Sequence, residues 1–326
     1  MNIPTAYSCF TDLWLAAARD VLESGMPTSP RNLETREIVF WAARLTNPRE
    51  RLLEIPGRLL NPFFLIGELL WILRGSDNVG EIEYYLSLIR KYSDDGVSLH
   101  GAYGPRLFGR HKHQKINQAH ALVEKLRKDP DSRQAVLQIY LPQADWAPTL
   151  DVPCLCQIQF LIRDHKLHAI ATMRSQDVFR GMPYDVAWMS LLQEHISMQL
   201  NIDLGSFTHV CGSLHLYQAD MPLVEQLMAA APGPGMATHG REMTPLPCDV
   251  TGSQIDAIMK TEESLRTNKP LEVEEHVTLK GLWAEVAILL QAYTLFKNGD
   301  SPKAITLTRS IGGALGEMAE KFILKK

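Results

Sequence analysis

The sequence predicts a protein of mixed α and β structure, with helices in both terminal parts and strands in the middle. Two observations favour this fold class. Apolar residues are spaced for one helix face over 11–22 and return in helical patterns over 282–296 and 311–323, whereas 135–173 contains β-rich segments. With 326 residues, 45% of them hydrophobic, the chain is long enough to bury a sizeable core.

In the first part of the chain, turn-forming residues separate the predicted elements. Asn61-Pro62 starts a helix that continues to Leu73 and stops at Gly75, because proline suits the first helical turn and glycine the end. This helix is apolar on most sides and is therefore predicted to be buried. The remaining segments are predicted as a loop over 23–36, a short strand over 39–43, and helices over 77–91 and 119–128.

The middle of the chain is predicted to be sheet. Strands over 156–162 and 167–173 flank a short polar turn and are predicted to pair as a hairpin, and a further strand is predicted over 135–141. A long buried helix over 184–200 and a strand over 206–215 follow. The segment 232–235, with sequence Pro-Gly-Pro-Gly, is predicted to be a linker.

Composition excludes several classes of protein. Lys and Arg number 33 against 37 Asp and Glu, a net charge of -4, so the basic excess typical of proteins that bind nucleic acid polymers is absent. The longest apolar runs are too short to span a bilayer, so no membrane association is expected. Five cysteines, an odd number with no secretory signal before them, indicate a reducing cytoplasm.

Cys154 is the first candidate for chemistry. It follows Pro153 at the start of a predicted strand, a rigid position from which a thiolate can attack if its pKa is lowered. From this segment alone, a buried cysteine that only packs remains the favoured interpretation. Cys154 and Cys156 form a C-x-C pair with no second ligand pair at metal spacing, so no metal is expected.

Several arginines and one carboxylate are further candidates. Arg31, Arg133 and Arg174 can bind a phosphate if the fold brings them together, since guanidinium forks suit phosphate oxygens, but each taken singly favours an ordinary surface contact. Glu68 lies inside the buried helix, where an unpaired carboxylate costs several kcal/mol (~2–7). A proton donor and a buried ion pair explain Glu68 equally well.

Several of these candidates belong to short motifs that follow one another in a characteristic order along the chain. These motifs are Pro153-Cys154, Gln159-Phe160, Arg174-Ser175-x-Asp177-Val178-Phe179-x-Gly181-x-Pro183-Tyr184, His209, and Gly212-x-x-His215-Leu216-Tyr217. Together they resemble the thymidylate synthase family over roughly 31–220. The resemblance implies an α+β fold in which a mixed β-sheet is flanked by helices and packs sheet to sheet in a homodimer. It is expected to span 1–326 as a single domain, with a divergent, mostly helical part from about 236.

The resemblance also implies a role for each motif residue. Cys154 would be the nucleophile, and Glu68 would organise water and proton transfer. Asp177 would lie near the folate, with 5,10-methylenetetrahydrofolate as co-substrate and a pyrimidine mononucleotide as the other ligand. Six residues would bind the nucleotide: Arg31, Arg174, Ser175, His215, Tyr217 and Arg133. Arg133 would come from the partner chain, across the dimer interface.

One departure from the family pattern concerns the base. Members that methylate uracil nucleotides carry Asn after the Pro-Phe/Tyr pair, and this sequence has Asp185 there. An ionised carboxylate only accepts hydrogen bonds, which suits the amino group of cytosine, and a protonated one can also donate to ring N3. An Asp facing uracil O4 would cost about 1–3 kcal/mol or more. The resemblance therefore narrows to the cytidylate hydroxymethylases.

A second departure concerns the end of the reaction. No Trp occurs over 88–92, where the methylating enzymes place an indole that excludes water. Water is then expected to be the terminal nucleophile, which gives a 5-hydroxymethyl pyrimidine and unoxidised tetrahydrofolate. Gln134 stands where the family has a second arginine beside Arg133, so the phosphate site lacks one cation.

The sequence thus predicts a cytidylate 5-hydroxymethylase that acts through a covalent bond from Cys154 to C6. The alternative hypothesis is a thymidylate synthase that methylates dUMP. A third is a nucleotide- or RNA-binding relative without turnover, although such a protein would not need Cys154. CMP and dCMP both remain open as substrates, and with them a role in nucleoside antibiotic biosynthesis or in modified phage DNA.

Overall fold

A mixed β-sheet forms the centre of the protein in a computed structural model, which describes residues 4–231, 241–249, 251–269 and 278–326. Its strands are β1 (Thr5–Tyr7), β2 (Met26–Thr28), β3 (Thr35–Leu45), β4 (Val136–Gln138), β5 (Leu155–Arg163), β6 (Lys166–Met173), β7 (Gln176–Asp177) and β8 (Asp203–Tyr217). Their order is β1-β3-β8-β6-β5-β4, with β2 paired to β3 and β7 to β8. The pairs β1–β3, β6–β8 and β7–β8 are parallel and the others antiparallel.

Helices flank this sheet. They are α1 (Phe10–Ser24), α2 (Pro62–Arg74), α3 (Val79–Glu83), α4 (Tyr103–Leu107), α5 (Gln118–Lys128), α6 (Pro142–Asp145), α7 (Met182–Leu200), α8 (Met221–Ala230), α9 (Ser253–Thr267), α10 (Gly281–Lys297), α11 (Ser301–Ile311) and α12 (Gly313–Leu324). Within the described ranges, none of these helices is long and apolar enough to cross a bilayer. One continuous hydrophobic core joins the sheet to the helices.

Helix α2 has the boundaries that the sequence predicts. The Asn61 side chain accepts hydrogen bonds from the backbone N–H of Phe63 and Phe64, which satisfies two free donors of the first turn. Gly75 closes the helix with φ 69, a left-handed conformation that glycine adopts without steric cost. The predicted buried helix is confirmed, and it places Glu68 toward the interior.

The predicted β5–β6 hairpin and the long helix α7 are also confirmed. Asp164 and His165 form the hairpin turn with φ 51 and 57, and β6 alternates buried and partly exposed residues as its sequence pattern requires. The strand over 206–215 is longer than predicted, because β8 pairs with β3 on one side and β6 on the other. These pairings bring the ends of β5, β6 and β8 together.

Other predicted elements were wrong in extent. The helix over 77–91 ends at Glu83 and gives way to a 3-10 turn over Ser87–Tyr92. Tertiary packing explains the break, because the Tyr293 hydroxyl donates to the Tyr84 carbonyl at 3.0 Å and its ring stacks on Tyr85. The strand over 135–141 shrinks to β4, since Pro142 starts α6.

The loop over 23–36 contains β2 and a 3-10 turn over Pro30–Asn32. Helix α9 was not predicted. Its apolar residues are sparse, and Ile258 is the one that packs fully into the core. The linker predicted at 232–235 lies outside the described residues, and the division into one domain with a divergent part from about 236 stays a prediction.

Candidate active site

Cys154 lies directly before β5, and Arg174 directly after β6, so the hairpin pairing brings the two residues together. The Arg174 backbone N–H donates to the Cys154 carbonyl at 2.8 Å. Its guanidinium donates to the carbonyls of Pro153 at 2.9 Å and Val152 at 2.8 Å, and Nη2 lies 3.6 Å from the Cys154 sulfur. Arg174 therefore holds the Pro-Cys segment and places a cation beside the thiol.

The protonation state of Cys154 is set by two opposing effects. Burial raises the pKa of the Cys154 thiol to about 11, Asp185 and Asp151 raise it further, and the cations of Arg174 and Arg31 act in the opposite direction. Burial dominates, so the thiol carries its proton near neutral pH in the free protein. A lowered thiol pKa was the condition attached to the predicted nucleophile, and the free protein does not meet it.

We expect alkylation of Cys154 by iodoacetamide to be slow near neutral pH and to rise about tenfold per pH unit toward pH 11, because only the thiolate reacts. Peptide mass spectrometry after timed quenching measures this rate, with the exposed Cys248 as a reference in the same chain. Arg174→Ala should slow Cys154 further, since a cation beside the sulfur is lost. A rate for Cys154 that does not change with pH above neutral would contradict this assignment.

Two carboxyl groups lie close to each other on helices α2 and α7, and the second of them, Asp185, lies near the thiol. Burial raises the pKa of Glu68 well above its ordinary value, and the nearby Asp185 adds to the rise. Glu68 Oε2 is buried without a hydrogen-bond partner among the described residues, and no ion pair of Glu68 is found there. Of the two explanations that the sequence left open, this favours a carboxyl group that holds a proton.

Asp185 is held by two donors. Gln176 Nε2 donates to Oδ2 at 2.8 Å, and the Trp188 indole N–H donates to Oδ1 at 3.3 Å. Burial raises the pKa of Asp185 to about 6, against the lowering effect of both hydrogen bonds. The carboxyl group can therefore gain or lose a proton close to neutral pH.

Two further residues of this cluster were not assigned a role from the sequence. Tyr103 stacks on Trp188 with 5.3 Å between ring centroids, and its hydroxyl pKa is raised by burial and by Asp185, Cys154 and Glu68. Asp151 accepts a hydrogen bond from the Gly101 N–H at 2.8 Å, and burial raises its pKa. Only weak sequence signals marked these two residues. Tyr103 lies within the short segment Gly101-Ala102-Tyr103-Gly104, and Asp151 lies two residues before Pro153-Cys154.

The predicted phosphate and sugar residues form a second group, which Arg174 links to Cys154. Ser175 Oγ and His215 Nδ1 are 3.2 Å apart. Burial lowers the pKa of His215, and Arg31 and Arg174 lower it further, which places both cations near this imidazole. Tyr217 packs edge-on against His215 with 5.4 Å between ring centroids. The fold thus gathers Arg31, Arg174, Ser175, His215 and Tyr217.

Arg31 has an unusual backbone. It lies in the 3-10 turn over Pro30–Asn32 with φ 55, in the left-handed region that costs a non-glycine residue about 1–3 kcal/mol. Its side chain is exposed. Residues with such backbone strain cluster at ligand-binding and active sites, and the predicted role of Arg31 in phosphate binding agrees with this.

Asp177 lies beyond this group, in a tight turn at the end of β7. Its Oδ1 accepts hydrogen bonds from the backbone N–H groups of Phe179 at 2.7 Å and Arg180 at 2.8 Å, and burial raises its pKa to about 6. Arg58 covers the Phe179 ring at 4.0 Å and donates to the Phe179 carbonyl at 2.7 Å. Asp177 is therefore a rigid, half-buried carboxyl group. Its Oδ2 makes no hydrogen bond within the described part of the chain.

Arg133 is the one predicted site residue that the single chain does not bring to Cys154. Val136 of β4 lies opposite Gln159 of β5, so Arg133 lies toward the far end of β5, away from Cys154. Its side chain is exposed, and its carbonyl accepts from Gln159 Nε2 at 2.9 Å. No cluster of three potential metal ligands occurs in the described ranges.

Fold and site together define a class: an α+β protein in which a cysteine thiol lies near both buried carboxyl groups and arginines. The family model for thymidylate synthase matches residues 13–245, and the chain belongs to the thymidylate synthase family. The predicted α+β fold with a mixed sheet and flanking helices is thereby confirmed. Enzymes of this family use methylenetetrahydrofolate as a co-substrate.

Similar proteins include three deoxyuridylate hydroxymethyltransferases from phages. The protein of Bacillus phage SP01 is 32% identical over 220 residues, which cover 64% of this chain and 57% of that protein. The protein of Delftia phage PhiW-14 is 34% identical over 191 residues, which cover 54% of this chain and 51% of that protein. The protein of Pseudomonas phage M6 is 31% identical over 195 residues, which cover 59% of this chain and 55% of that protein. The chain thus matches little more than half the length of these relatives. They are named for deoxyuridylate, so the predicted cytidylate branch is not confirmed.

Proposed function

We propose that the protein transfers a one-carbon unit from methylenetetrahydrofolate to C5 of a pyrimidine mononucleotide and releases a 5-hydroxymethyl nucleotide. The cluster of Cys154 with Glu68, Asp151, Asp185 and Tyr103 supports this most directly, because it combines a nucleophile with groups that hold protons and water. Arg31, Arg174 and Ser175 would bind the phosphate. All three similar phage proteins are hydroxymethyltransferases by name.

In the proposed reaction, the Cys154 sulfur adds to C6 of the pyrimidine and the C5–C6 double bond opens. The electron pair makes C5 nucleophilic, and the thiol proton leaves to a nearby acceptor. Glu68, which favours its protonated form, can return a proton to the base as charge develops there. Methylenetetrahydrofolate supplies the one-carbon unit when bound.

Asp177 is a suitable contact for the folate. Two backbone N–H groups fix its carboxyl group through Oδ1, and Oδ2 has capacity for a ring N–H donor. Arg58, which the sequence had not singled out, lies on the Phe179 ring beside this turn and adds a cation. Asp177 and Arg58 would position the folate without taking part in the chemical steps.

Hydroxymethylation rather than methylation is supported by the polar groups near Cys154. Methylation needs hydride transfer to the exocyclic methylene at C5, which requires that water be kept out. Here Tyr103 lies near Cys154, Glu68 and Asp151, so the oxygen atoms of these side chains can hold a water molecule close to the thiol. The 3-10 turn over Ser87–Tyr92 contains Ile89, which packs on the core, and Tyr92, which is exposed, and no indole.

We propose cytosine as the preferred base. Asp185 would accept from the amino group with one oxygen, and a pKa of about 6 lets the other oxygen share a proton with N3. Proton transfer to N3 helps the ring accept electrons from sulfur. The second candidate function is hydroxymethylation of deoxyuridylate, which the names of the phage relatives favour. Ser175, His215 and Tyr217 suit either sugar, so CMP and dCMP are both candidate substrates.

We also propose a homodimer in which Arg133 completes the phosphate site of the neighbouring protomer. Arg133 is exposed and far from Cys154 in its own chain. Val39 and Phe40 of β3 are 67% and 69% exposed, an apolar surface on the sheet that a second copy would cover. This arrangement accounts for a phosphate site with only two arginines from one chain.

Parallel assays with CMP, dCMP, UMP and dUMP test the proposed function. Each nucleotide is incubated with methylenetetrahydrofolate, and products are separated by liquid chromatography and identified by mass spectrometry. We expect 5-hydroxymethylcytidylate, with no rise in dihydrofolate absorbance. A 5-hydroxymethyluracil product would establish the second candidate function instead. A methylated uracil nucleotide formed together with dihydrofolate, or no product from any nucleotide, would reject hydroxymethylation.

A further inference from the structure

Two buried polar side chains lie behind Asp185 and have no role in the proposed reaction. Gln176 of β7 is 2% exposed, and His209 of β8 is fully buried. Gln176 Nε2 donates to Asp185 Oδ2 at 2.8 Å, and His209 Nε2 lies 3.1 Å from Gln176 Oε1. His209, Gln176 and Asp185 form a continuous hydrogen-bonded chain that begins in the core and ends at Asp185, here called the Gln176 relay.

The hydrogen-bond directions in the Gln176 relay follow from one another. Burial lowers the pKa of His209 to about 4, so the imidazole is neutral and carries one N–H. The Gln176 amide donates through Nε2 to Asp185, so its Oε1 must accept, and the His209 proton must be on Nε2. His209 Nδ1 is then a buried acceptor, and it has no partner within the described residues.

This arrangement fixes the Gln176 amide in one of its two orientations. The reverse orientation would turn Oε1 toward Asp185, acceptor against acceptor, and would require a proton on Asp185 Oδ2. The Asp177 carbonyl opposes that reversal, because it accepts from Gln176 Nε2 at 3.4 Å and would face the amide oxygen in the reverse orientation. Phe207 stacks on the imidazole and helps to hold it. Gly181 leaves room for the relay, since a Cβ there would lie 3.0 Å from Gln176 Nε2.

The two oxygens of Asp185 therefore differ. Oδ2 has the shorter bond, 2.8 Å from Gln176, and Oδ1 the longer one, 3.3 Å from Trp188. A proton on the carboxyl group belongs on Oδ1, the oxygen with the weaker donor. Cytosine offers a donor at position 4 and an acceptor at N3, and uracil offers the reverse pattern. A carboxyl group whose proton is fixed on one oxygen matches only one of the two bases.

We infer that Gln176, held by the Asp177 carbonyl and by His209, is a positioning residue that determines base specificity by fixing which oxygen of Asp185 accepts. This inference rests on the proposed function, in which Asp185 contacts the base. It makes Gln176 a specificity determinant that does not touch the nucleotide. Losing the relay would let the proton move between the two oxygens, so that both hydrogen-bond patterns are accommodated.

Gln176→Met removes the hydrogen bonds to Asp185, His209 and the Asp177 carbonyl at nearly constant volume and tests the inference. The measurement is the dissociation constant of CMP and of UMP by equilibrium dialysis, expressed as their ratio, and separate from turnover. We expect Gln176→Met to change this ratio about tenfold toward equal binding, a change equivalent to about 1.4 kcal/mol. His209→Phe, which leaves the bond to Asp185 intact, should shift the ratio in the same direction by less.

Ser190→Ala is the matched control. Ser190 is fully buried on α7, the helix that carries Asp185, and its hydroxyl donates only to backbone carbonyls of Val186 and Ala187. Its ratio should equal that of the unaltered protein. Equal weakening of CMP and UMP in Gln176→Met and His209→Phe would overturn the inference, because a purely structural role affects both nucleotides alike.

The proposed function and the Gln176 relay fail in different ways. A protein that binds UMP better than CMP, but whose ratio still moves in Gln176→Met, would refute the choice of cytosine and support the relay. A protein that converts cytidylate with an unchanged ratio in both variants would refute the relay and keep the proposed function. Should Gln176→Met not fold, as judged by its thermal melt, His209→Phe alone decides the outcome.

Discussion

Cys154→Ala is expected to lower kcat for nucleotide turnover by about 1000-fold or more, since no other group can form the bond to C6. Nucleotide binding should persist, because Arg174 keeps its hydrogen bonds to backbone carbonyls of the same segment. Initial rates with the nucleotide that the product assay identifies measure the loss. Intact-protein mass spectrometry should also show a nucleotide-sized adduct on the unaltered protein that the variant lacks.

Cys156→Ala provides the control for this result. Cys156 is half-buried two residues further along β5, and its carbonyl accepts from the N–H groups of Ile139 and Tyr140, which alanine preserves. Its activity should stay within a few-fold of the original, as expected for a packing cysteine. Substantial turnover by Cys154→Ala, or an equal loss in both variants, would refute Cys154 as the nucleophile.

Asp185→Asn is expected to reverse the base preference, with kcat/KM for uracil over cytosine nucleotides rising about 100-fold. In Asp185→Asn the Gln176 amide can turn its oxygen toward the new NH2 group while the His209 proton moves to Nδ1, so the Asn amide can donate to O4 and accept from N3–H. In the unaltered protein the carboxyl group held by Gln176 sets an acceptor against O4. Two interactions change, each worth about 1–3 kcal/mol, and a factor of 100 corresponds to about 2.7 kcal/mol. Competition between CMP and UMP, and between dCMP and dUMP, in one reaction measures the ratio directly.

A thermal melt should accompany this substitution, since Asp185 also accepts from Trp188. The Asn oxygen can still accept from Trp188, and the turned Gln176 amide can accept from the Asn NH2 group, so we expect the fold to persist with little change in melting temperature. Ser190→Ala again controls for disturbance of α7. If the unaltered protein already prefers uracil nucleotides, the carboxyl argument is wrong, and the deoxyuridylate activity named for the phage relatives becomes the better description.

Local sequence predicted those elements whose ends are set by neighbouring residues. Asn61, Pro62 and Gly75 determine the boundaries of α2 through capping bonds and a positive φ that need no distant contact. The helix over 77–91 failed because its interruption depends on Tyr293, more than 200 residues away in the chain. No pattern in that segment contains this contact.

The candidate site divides in the same way. The motifs supplied Cys154, Arg174, Ser175 and His215, and sheet pairing brings them together as the family resemblance implied. Arg133 was identified by the same motifs, and the single chain keeps it at the far end of β5. Tyr103 and Asp151 were missed as site residues, because their contact with the thiol depends on how α4 and the segment before β5 pack.

By itself the sequence determined the residue types, their order and the local elements, and these were enough to identify the family and to single out Asp185. Only the tertiary structure decided how those groups behave. Burial raises the pKa of Cys154 to about 11 and that of Asp185 to about 6, and the orientation of the Gln176 amide depends on its bonds to Asp185 and to the Asp177 carbonyl. The physical reason is that desolvation and hydrogen-bond direction depend on all surrounding atoms, most of which come from distant parts of the chain.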